Sequence, residues 1–186
     1  LKNVEWINVF SVDNVLQKIA DPVFIGAAIA TGNMCAAKVV RKTNPYERVG
    51  VMCLEDGRPS IVEYYEMADD MLHARDVEGE LSYAYGVILN YLFRMDKLKS
   101  ILNVRLPIHV AEKRIPHITA DGQYINPDKP NGYKFEELVL DMVHLFDSCL
   151  PFEVKRDVEF APVKNAVGDD SIDSARRLLI KNGFIL

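Results

Sequence analysis

Residues 4–32 read VEWINVFSVDNVLQKIADPVFIGAAIATG. In Val4–Val12 the β-branched and aromatic residues run almost without a break, which reads as a buried strand ending at Asp13-Asn14. Asp21-Pro22 then offers a capping side chain followed by proline at the first helical position, and the helix through Phe24, Ile25 and Ile29 stops at Gly32. Strand, crossover and helix in that order are the unit of an α/β sheet. The order also places a carboxylate, Asp13, at the carboxyl end of a strand, where such sheets form their ligand crevice.

Outward from this unit, Lys38–Arg41, Val49–Leu54 and Ser60–Tyr65 read as three strands, separated by the Asn44-Pro45 breaker and an Asp56-Gly57 hairpin turn. Helical spacing is expected at Ala68–Ala74, at Val87–Leu102 and at Phe135–Phe146. In the last, Phe135, Leu138, Val139, Met142, Leu145 and Phe146 would form one apolar stripe. His117–Ile125 reads as a hairpin about Asp121-Gly122, Pro151–Phe160 as a strand, and Ser171–Lys181 as a helix with Gly183 behind it. Helices interleaved with hairpins predict an α/β fold whose sheet is mixed rather than purely parallel, flanked by helices.

The 186 residues are 49% apolar and 26% charged, the balance of a chain that folds. A net charge of −5 gives no general attraction to nucleic acid or to anionic membranes, so neither is expected as a partner, and any phosphate chemistry must use a few placed cations. Cys35, Cys53 and Cys149 are odd in number and far apart, which indicates neither a disulfide framework nor a zinc site. The four histidines have no mutual spacing that suggests a triad or a metal centre. No apolar run approaches the roughly 20 residues that span a bilayer, and Leu1–Phe10 lacks the flanks of a signal peptide, so the expected location is cytoplasmic.

An ordered series of short motifs carries more than any one of them: Ser11–Asn14 (SVDN), Ala20–Gly26 (ADPVFIG), Cys35–Val40 (CAAKVV), Lys42–Glu47 (KTNPYE), Val49–Val51 (VGV), Val62–Tyr64 (VEY), His109–Lys113 (HVAEK), Pro127–Lys134 (PDKPNGYK) and Glu159–Asn165 (EFAPVKN). In this order the chain resembles the UDP-sugar pyrophosphorylase family, and within it the eukaryotic UDP-N-acetylglucosamine branch, over nearly its whole length. The resemblance implies a Rossmann-like, GT-A-like nucleotidyltransferase sheet. Residues 1–186 would be the C-terminal part of the central catalytic domain, truncated at both ends, without the Gly-rich nucleotide loop that precedes these motifs or the β-rich domain that follows them. It implies an enzyme that joins UTP to N-acetylglucosamine 1-phosphate with Mg2+ and releases pyrophosphate, and a fragment that is itself inactive. The rival readings are an enzyme of UDP-glucose or of several UDP-sugars, and a noncatalytic module that binds nucleotide sugars. The CAAKVV and KTNP motifs favour the acetylated sugar.

Such a transfer needs little covalent help from the protein, because the sugar phosphate's own oxygen attacks the α-phosphorus; the work is alignment and charge neutralisation. Mg2+ is commonly held by one or two carboxylates with phosphates and water, so a lone aspartate suffices. By itself Asp13 reads as a turn former or cap; the resemblance makes it the metal ligand beside the phosphates. Lys134 and Lys164, otherwise ordinary surface lysines, become phosphate-neutralising groups. Glu63 and Gly50 fall around the sugar, the first accepting from hydroxyls and the second allowing close approach. Asn14 reads as a turn residue. Residues 81–90, LSYAYGVILN, depart from the family pattern: Val87 stands where relatives carry a sugar-contacting asparagine. If Val87–Leu102 is helical, Asn90 shares its face and is expected to supply the missing contact.

Overall fold

The computed structural model describes residues 3–185. Its elements in chain order are β1 (Trp6–Phe10), α1 (Pro22–Ala30), β2 (Cys35–Arg41), β3 (Val51–Glu55), β4 (Arg58–Val62), α2 (Asp69–His73), β5 (Tyr85–Arg94), α3 (Met95–Ser100), β6 (His109–Lys113), β7 (His117–Ile118), β8 (Tyr124–Ile125) and β9 (Gly132–Glu136). A 3-10 segment (Val139–Leu145), β10 (Cys149–Glu153), α4 (Arg156–Glu159) and α5 (Ile172–Lys181) complete the chain. Six strands form one mixed sheet in the order β10-β2-β5-β3-β4, with β1 also on β5; β6 and β9 make a separate ribbon, and β7 and β8 a small hairpin. Only β10 and β2 run parallel; the other pairs are antiparallel. None of the described helices is long and apolar enough to cross a membrane.

β5 is the spine. Its ten residues are flanked along one edge by β2 and along the other by β1 at Asn90–Arg94 and by β3 at Gly86. Layers cover both faces of it. On one face, Cys35, Ala37 and Val39 of β2 and Val87, Tyr91 and Phe93 of β5 pack with Leu140, Val143 and Phe146. On the other, Ala36 and Leu92 pack under Phe24 and Ala28 of α1, and Val40 and Ile88 under Phe160. A strand buried on both faces loses its alternation and reads as a continuous apolar run. That is why Val87–Leu102 is not the expected helix but the second part of β5 followed by the short α3.

The expected helix at Phe135–Phe146 is also replaced. β9 ends at Glu136, Phe135 is exposed on the ribbon, and Val139–Leu145 is a 3-10 turn. The buried set, Leu140, Val143 and Phe146, recurs at every third residue, the period of a 3-10 helix, whereas the sequence pattern was matched to 3.6. The strand expected at Pro151–Phe160 is shorter, because the chain leaves the sheet after Val154 and turns into α4. Expectation and structure agree at β1, at α1 with the Asp21 carboxylate accepting from Val23 N, and at the Asp56-Gly57 turn, where both residues adopt positive φ. They agree again at α5, which Ser171 caps reciprocally with Ser174.

One buried interaction joins these layers. Lys38, on the helix-facing side of β2, is fully enclosed; its Nζ lies 2.7 Å from Asp21 Oδ2 and 2.5 Å from Glu159 Oε2, and 5.3 Å from the centre of the Phe24 ring. Burial raises the Asp21 carboxyl, but the Lys38 hydrogen bond and charge, with main-chain donors, bring it below its ordinary value. Lys38→Met should leave two carboxylates facing an apolar side chain. The expected loss of stability is about 3–5 kcal/mol, as for a buried ion pair stripped of one partner, measured by urea unfolding against the unsubstituted chain.

Candidate functional site

β1 and β3 lie on the same edge of β5 but do not meet. The amide of Ser11 donates to Leu89 O at 2.9 Å where β1 departs, and Val87 N donates to Gly50 O at 2.8 Å where β3 arrives. The parting coincides with an irregularity in β5. Ala37 pairs with Tyr91 and Val39 with Val87, so β5 spends four residues where β2 spends two, and Leu89 takes a φ of 48°. A cleft of about 280 Å3 opens at this gap. Asp13, Gly50, Glu63, Val87 and Lys164 all line it, so four of the six site residues read from the sequence converge with the divergent Val87. Ser11, Arg48, Tyr64, Tyr91 and Leu138 also line the cleft and were not singled out beforehand.

Asp13 and Lys164 are 151 residues apart in sequence, yet Lys164 Nζ is 3.8 Å from Asp13 Oδ2. The joining device is Asn14. Nearly fully buried, its Nδ2 donates to Glu159 O at 2.8 Å, and its Oδ1 accepts from Ala161 N at 2.8 Å and from Leu16 N at 3.3 Å. Main-chain bonds from Val15 N to Ala161 O and from Val163 N to Asp13 O flank it. Asn14 is thus more than the turn residue the sequence suggests: its amide stitches the SVDN segment to the FAPVKN segment. Ser11 Oγ donates to Asp13 Oδ1, which leaves Oδ2 toward the lysine. Lys164 is about half exposed and its backbone amide is tied to Asp170 O at 2.7 Å, so its side chain can swing while its root stays fixed.

On the opposite wall, a Cβ built on Gly50 would stand 3.3 Å from Glu63 Oε1, 3.3 Å from Val87 Cγ2 and 3.1 Å from Ile61 Cγ2. Any side chain at residue 50 would press on both the carboxylate and the valine. Burial, then the charge of Glu66, pushes the Glu63 carboxyl up, against the opposing pull of His109, of the Tyr64 amide and of Lys164. Glu63 is therefore an acceptor held partly out of water and short of donors.

His109 was passed over because its partners are distant in sequence. Its Nδ1 lies 2.9 Å from Glu66 Oε1 and its Nε2 3.0 Å from Asp141 Oδ2, which links the β6/β9 ribbon to the turn after β4 and to the 3-10 segment. A neutral imidazole has one N–H and cannot donate to two carboxylates, so this geometry calls for the imidazolium. Burial works against that charge, but the bonds from Glu66 and Asp141 outweigh it and hold the His109 pKa above its ordinary value. A larger hollow of about 370 Å3 lies beside His109, but of the site residues read from the sequence it gathers none.

Two of those residues are elsewhere. Lys134 sits on the exposed ribbon opposite Ala111, its Nζ 2.7 Å from Glu136 Oε1, and does not line the cleft. Asn90 is fully buried: Asn8 Nδ2 donates to its Oδ1 at 2.8 Å and its Nδ2 donates to Gln17 Oε1 at 2.9 Å. The helical face that Val87 and Asn90 were expected to share does not exist in a strand, and Asn90 instead anchors the loop after β1.

Residues 2–181 match the family model described as UTP--glucose-1-phosphate uridylyltransferase. The chain is similar to a human UDP-N-acetylhexosamine pyrophosphorylase-like protein 1, 40% identical over 188 residues, and to the UDP-N-acetylglucosamine pyrophosphorylase of Saccharomyces cerevisiae, 37% identical over 195 residues. These alignments cover 98% of the chain in both cases but only 37% and 40% of the relatives. Among solved structures, that of the Trypanosoma brucei uridine diphosphate N-acetylglucosamine pyrophosphorylase with an inhibitor superimposes with a TM-score of 0.80 at 29% identity, over 96% of this chain and 35% of that one.

The His109 geometry has a pH signature. A folded pKa above the unfolded value contributes stability that is fully present below about pH 6.5 and is lost as pH rises through the folded pKa. Imidazole NMR titration should place His109 above 6.5, and thermal stability should decline on the alkaline side of that titration. In His109→Gln that decline should be absent; a His109 that titrates at or below 6.5 would remove the imidazolium from the description.

Proposed function

The chain belongs to the UTP--glucose-1-phosphate uridylyltransferase family, and from that premise we propose that its cleft holds a sugar 1-phosphate, N-acetylglucosamine 1-phosphate, for uridylyl transfer from UTP. The observation that carries this reading is the convergence at one gap in the sheet of Asp13, Lys164, Glu63 and Gly50, drawn from four separate motifs. The names of the human, yeast and trypanosomal relatives support the acetylated sugar.

The two sides of the cleft suit the two ends of such a substrate. Lys164 is a flexible cation on a fixed root, able to follow a phosphate as its charge redistributes. Glu63, short of donors, accepts from sugar hydroxyls, and the bare backbone at Gly50 leaves the ring room. The attacking group is a phosphate oxygen of the sugar 1-phosphate and the bond broken joins the α-phosphorus of UTP to its bridging oxygen, so pyrophosphate departs. No proton acceptor is required.

Asp13 fits a magnesium ion of the kind shared with substrate phosphates. Its Oδ1 is engaged by Ser11 and its Oδ2 faces the cleft beside Lys164. Among the described residues no three His, Cys, Asp or Glu side chains surround a common point, so an all-protein cage is not on offer, and a single carboxylate with phosphates and water is the arrangement Mg2+ accepts. When bound there, Mg2+ supplies charge neutralisation for the triphosphate. Asp13 would hold it, and Lys164 would divide the remaining negative charge with it.

In the full-length protein, Asp13→Asn should lower kcat about tenfold or more, roughly 1.4 kcal/mol of transition-state stabilisation, with little change in Tm. Lys164→Ala should act mainly on kcat too, with sugar preference retained. Pyrophosphate release measured over a panel of sugar 1-phosphates tests both. A normal kcat with unchanged Mg2+ dependence in Asp13→Asn would return Asp13 to the role of a turn former.

A further inference from the structure

Tyr91 stands in the middle of β5, two residues past Leu89, where β5 departs from regular pairing. Its ring is enclosed, 1% of the residue being accessible, and packs on Phe93 with centroids 5.9 Å apart among the side chains of the central cluster. A tyrosine buried to this extent ordinarily finds a partner for its hydroxyl. Tyr91 has none among the described residues; burial and the nearby carboxylates of Glu63 and Asp141 act on its hydroxyl without a hydrogen bond to it. Nor is the oxygen sealed away. Among the described residues the wholly enclosed side-chain nitrogen or oxygen atoms without a partner are His144 Nδ1 and Arg156 Nε, so the sliver of Tyr91 that remains accessible includes its hydroxyl, and Tyr91 lines the cleft.

We propose that Tyr91 is a specificity-determining residue whose hydroxyl donates a hydrogen bond to the acetamido carbonyl of the bound sugar phosphate, with the acetamido methyl on the apolar wall of Val87 and Leu138. The inference rests on the reading of the cleft as a sugar 1-phosphate site. Three features select this chemistry. The hydroxyl is held protonated, since burial and the Glu63 charge push its pKa well up, so it is a dependable neutral donor. Its neighbours on the cleft wall, Val87 and Leu138, offer methyl groups and no hydrogen bond, which a sugar hydroxyl cannot use and a methyl can. And of the β5 side chains that line the cleft, Val87, Ile88 and Leu89 are apolar and Tyr91 carries the hydrogen-bonding group, while Asn90 is committed to Asn8 and Gln17. Tyr91 follows Val87 at four residues, and both belong to the same packed cluster.

The test is Tyr91→Phe in the full-length protein, a change that removes one oxygen and leaves the ring in place. Steady-state kinetics are compared for N-acetylglucosamine 1-phosphate, glucose 1-phosphate and UTP, with Tm recorded alongside. The expected result is a rise of about fivefold in KM for the acetylated sugar, the scale of one lost hydrogen bond, with KM for glucose 1-phosphate and UTP, kcat and Tm essentially unchanged. Equal losses for both sugars, or an unchanged KM for the acetylated one, would overturn the assignment of Tyr91 and leave the cleft reading standing. An unsubstituted protein that takes glucose 1-phosphate alone would overturn the acetamido contact. One that takes neither sugar phosphate would overturn the cleft reading itself and the role of Tyr91 with it.

Discussion

A lysine ammonium wholly removed from water has to be met by carboxylates, and the geometry around Lys38 follows from that requirement. Asp21 meets it from the cap of α1 and Glu159 from the end of α4, so the first helix and the segment leading to Lys164 are both referred to the same atom of β2. Removing these charges from water costs about as much as their pairing returns. The triad therefore acts on position more than on net stability. Glu159 is engaged twice, because its main-chain oxygen accepts from Asn14 while its carboxylate holds Lys38. A displacement of Lys38 would pass through Glu159 and Asn14 to the spacing of Asp13 and Lys164.

The second constraint is topological. An antiparallel strand ten residues long can be flanked on one edge by two shorter strands laid end to end, and the interval of β5 between them is bounded by the bonds of Val87 N to Gly50 O and of Ser11 N to Leu89 O. Side chains approach from the departing end of β1, Ser11 and Asp13, and from the arriving end of β3, where Arg48 precedes the small Val49 and Gly50. The extra residues of β5 widen the interval and turn Leu89 toward the opening. Glycine at 50 is needed because the wall is crowded rather than because the backbone is unusual there: the space a Cβ would take is already bounded by Glu63, Ile61 and Val87.

What the sequence disclosed follows from the range of the interactions involved. The first strand, the first helix with its Asp21 cap, the Asp56-Gly57 turn and the last helix are each decided by residues within one or two turns of one another, and all are present. β5 was read as a helix because burial on both faces erased its alternation, and the segment after β9 because a period of three resembles one of 3.6 over so short a span. Asp13, Gly50, Glu63 and Lys164 were each read from a recognisable local motif, and all four line one cleft. Asn90 was misplaced by the helical reading. Lys134 also lies in a motif, but where the ribbon puts it is a matter of tertiary placement. Asn14 reads as a turn residue and His109 as a histidine without a role for a related reason: their partners lie up to 147 residues away, and nothing in a local window distinguishes a clamp from a turn residue.

The cleft is chemically divided, and the division bears on how its affinity is distributed. Asp13 and Lys164 belong to segments joined by the Asn14 amide and two main-chain bonds and are partly open to water, so their interaction with each other is weak in isolation, and an anion that displaced solvent between them would strengthen it. The Gly50–Glu63–Val87 wall is anchored at the ends of β3 and β4 and on β5, and is closely packed before any ligand arrives. A rigid wall discriminates by shape, since side chains packed this closely cannot move aside without loss. A mobile lysine adapts to charge. On the proposed reading, selection among sugars falls to the part of the molecule least able to relax, and accommodation of a changing phosphate to the part most able to, a separation that comes from building one half of the cleft on a central strand and the other on loops.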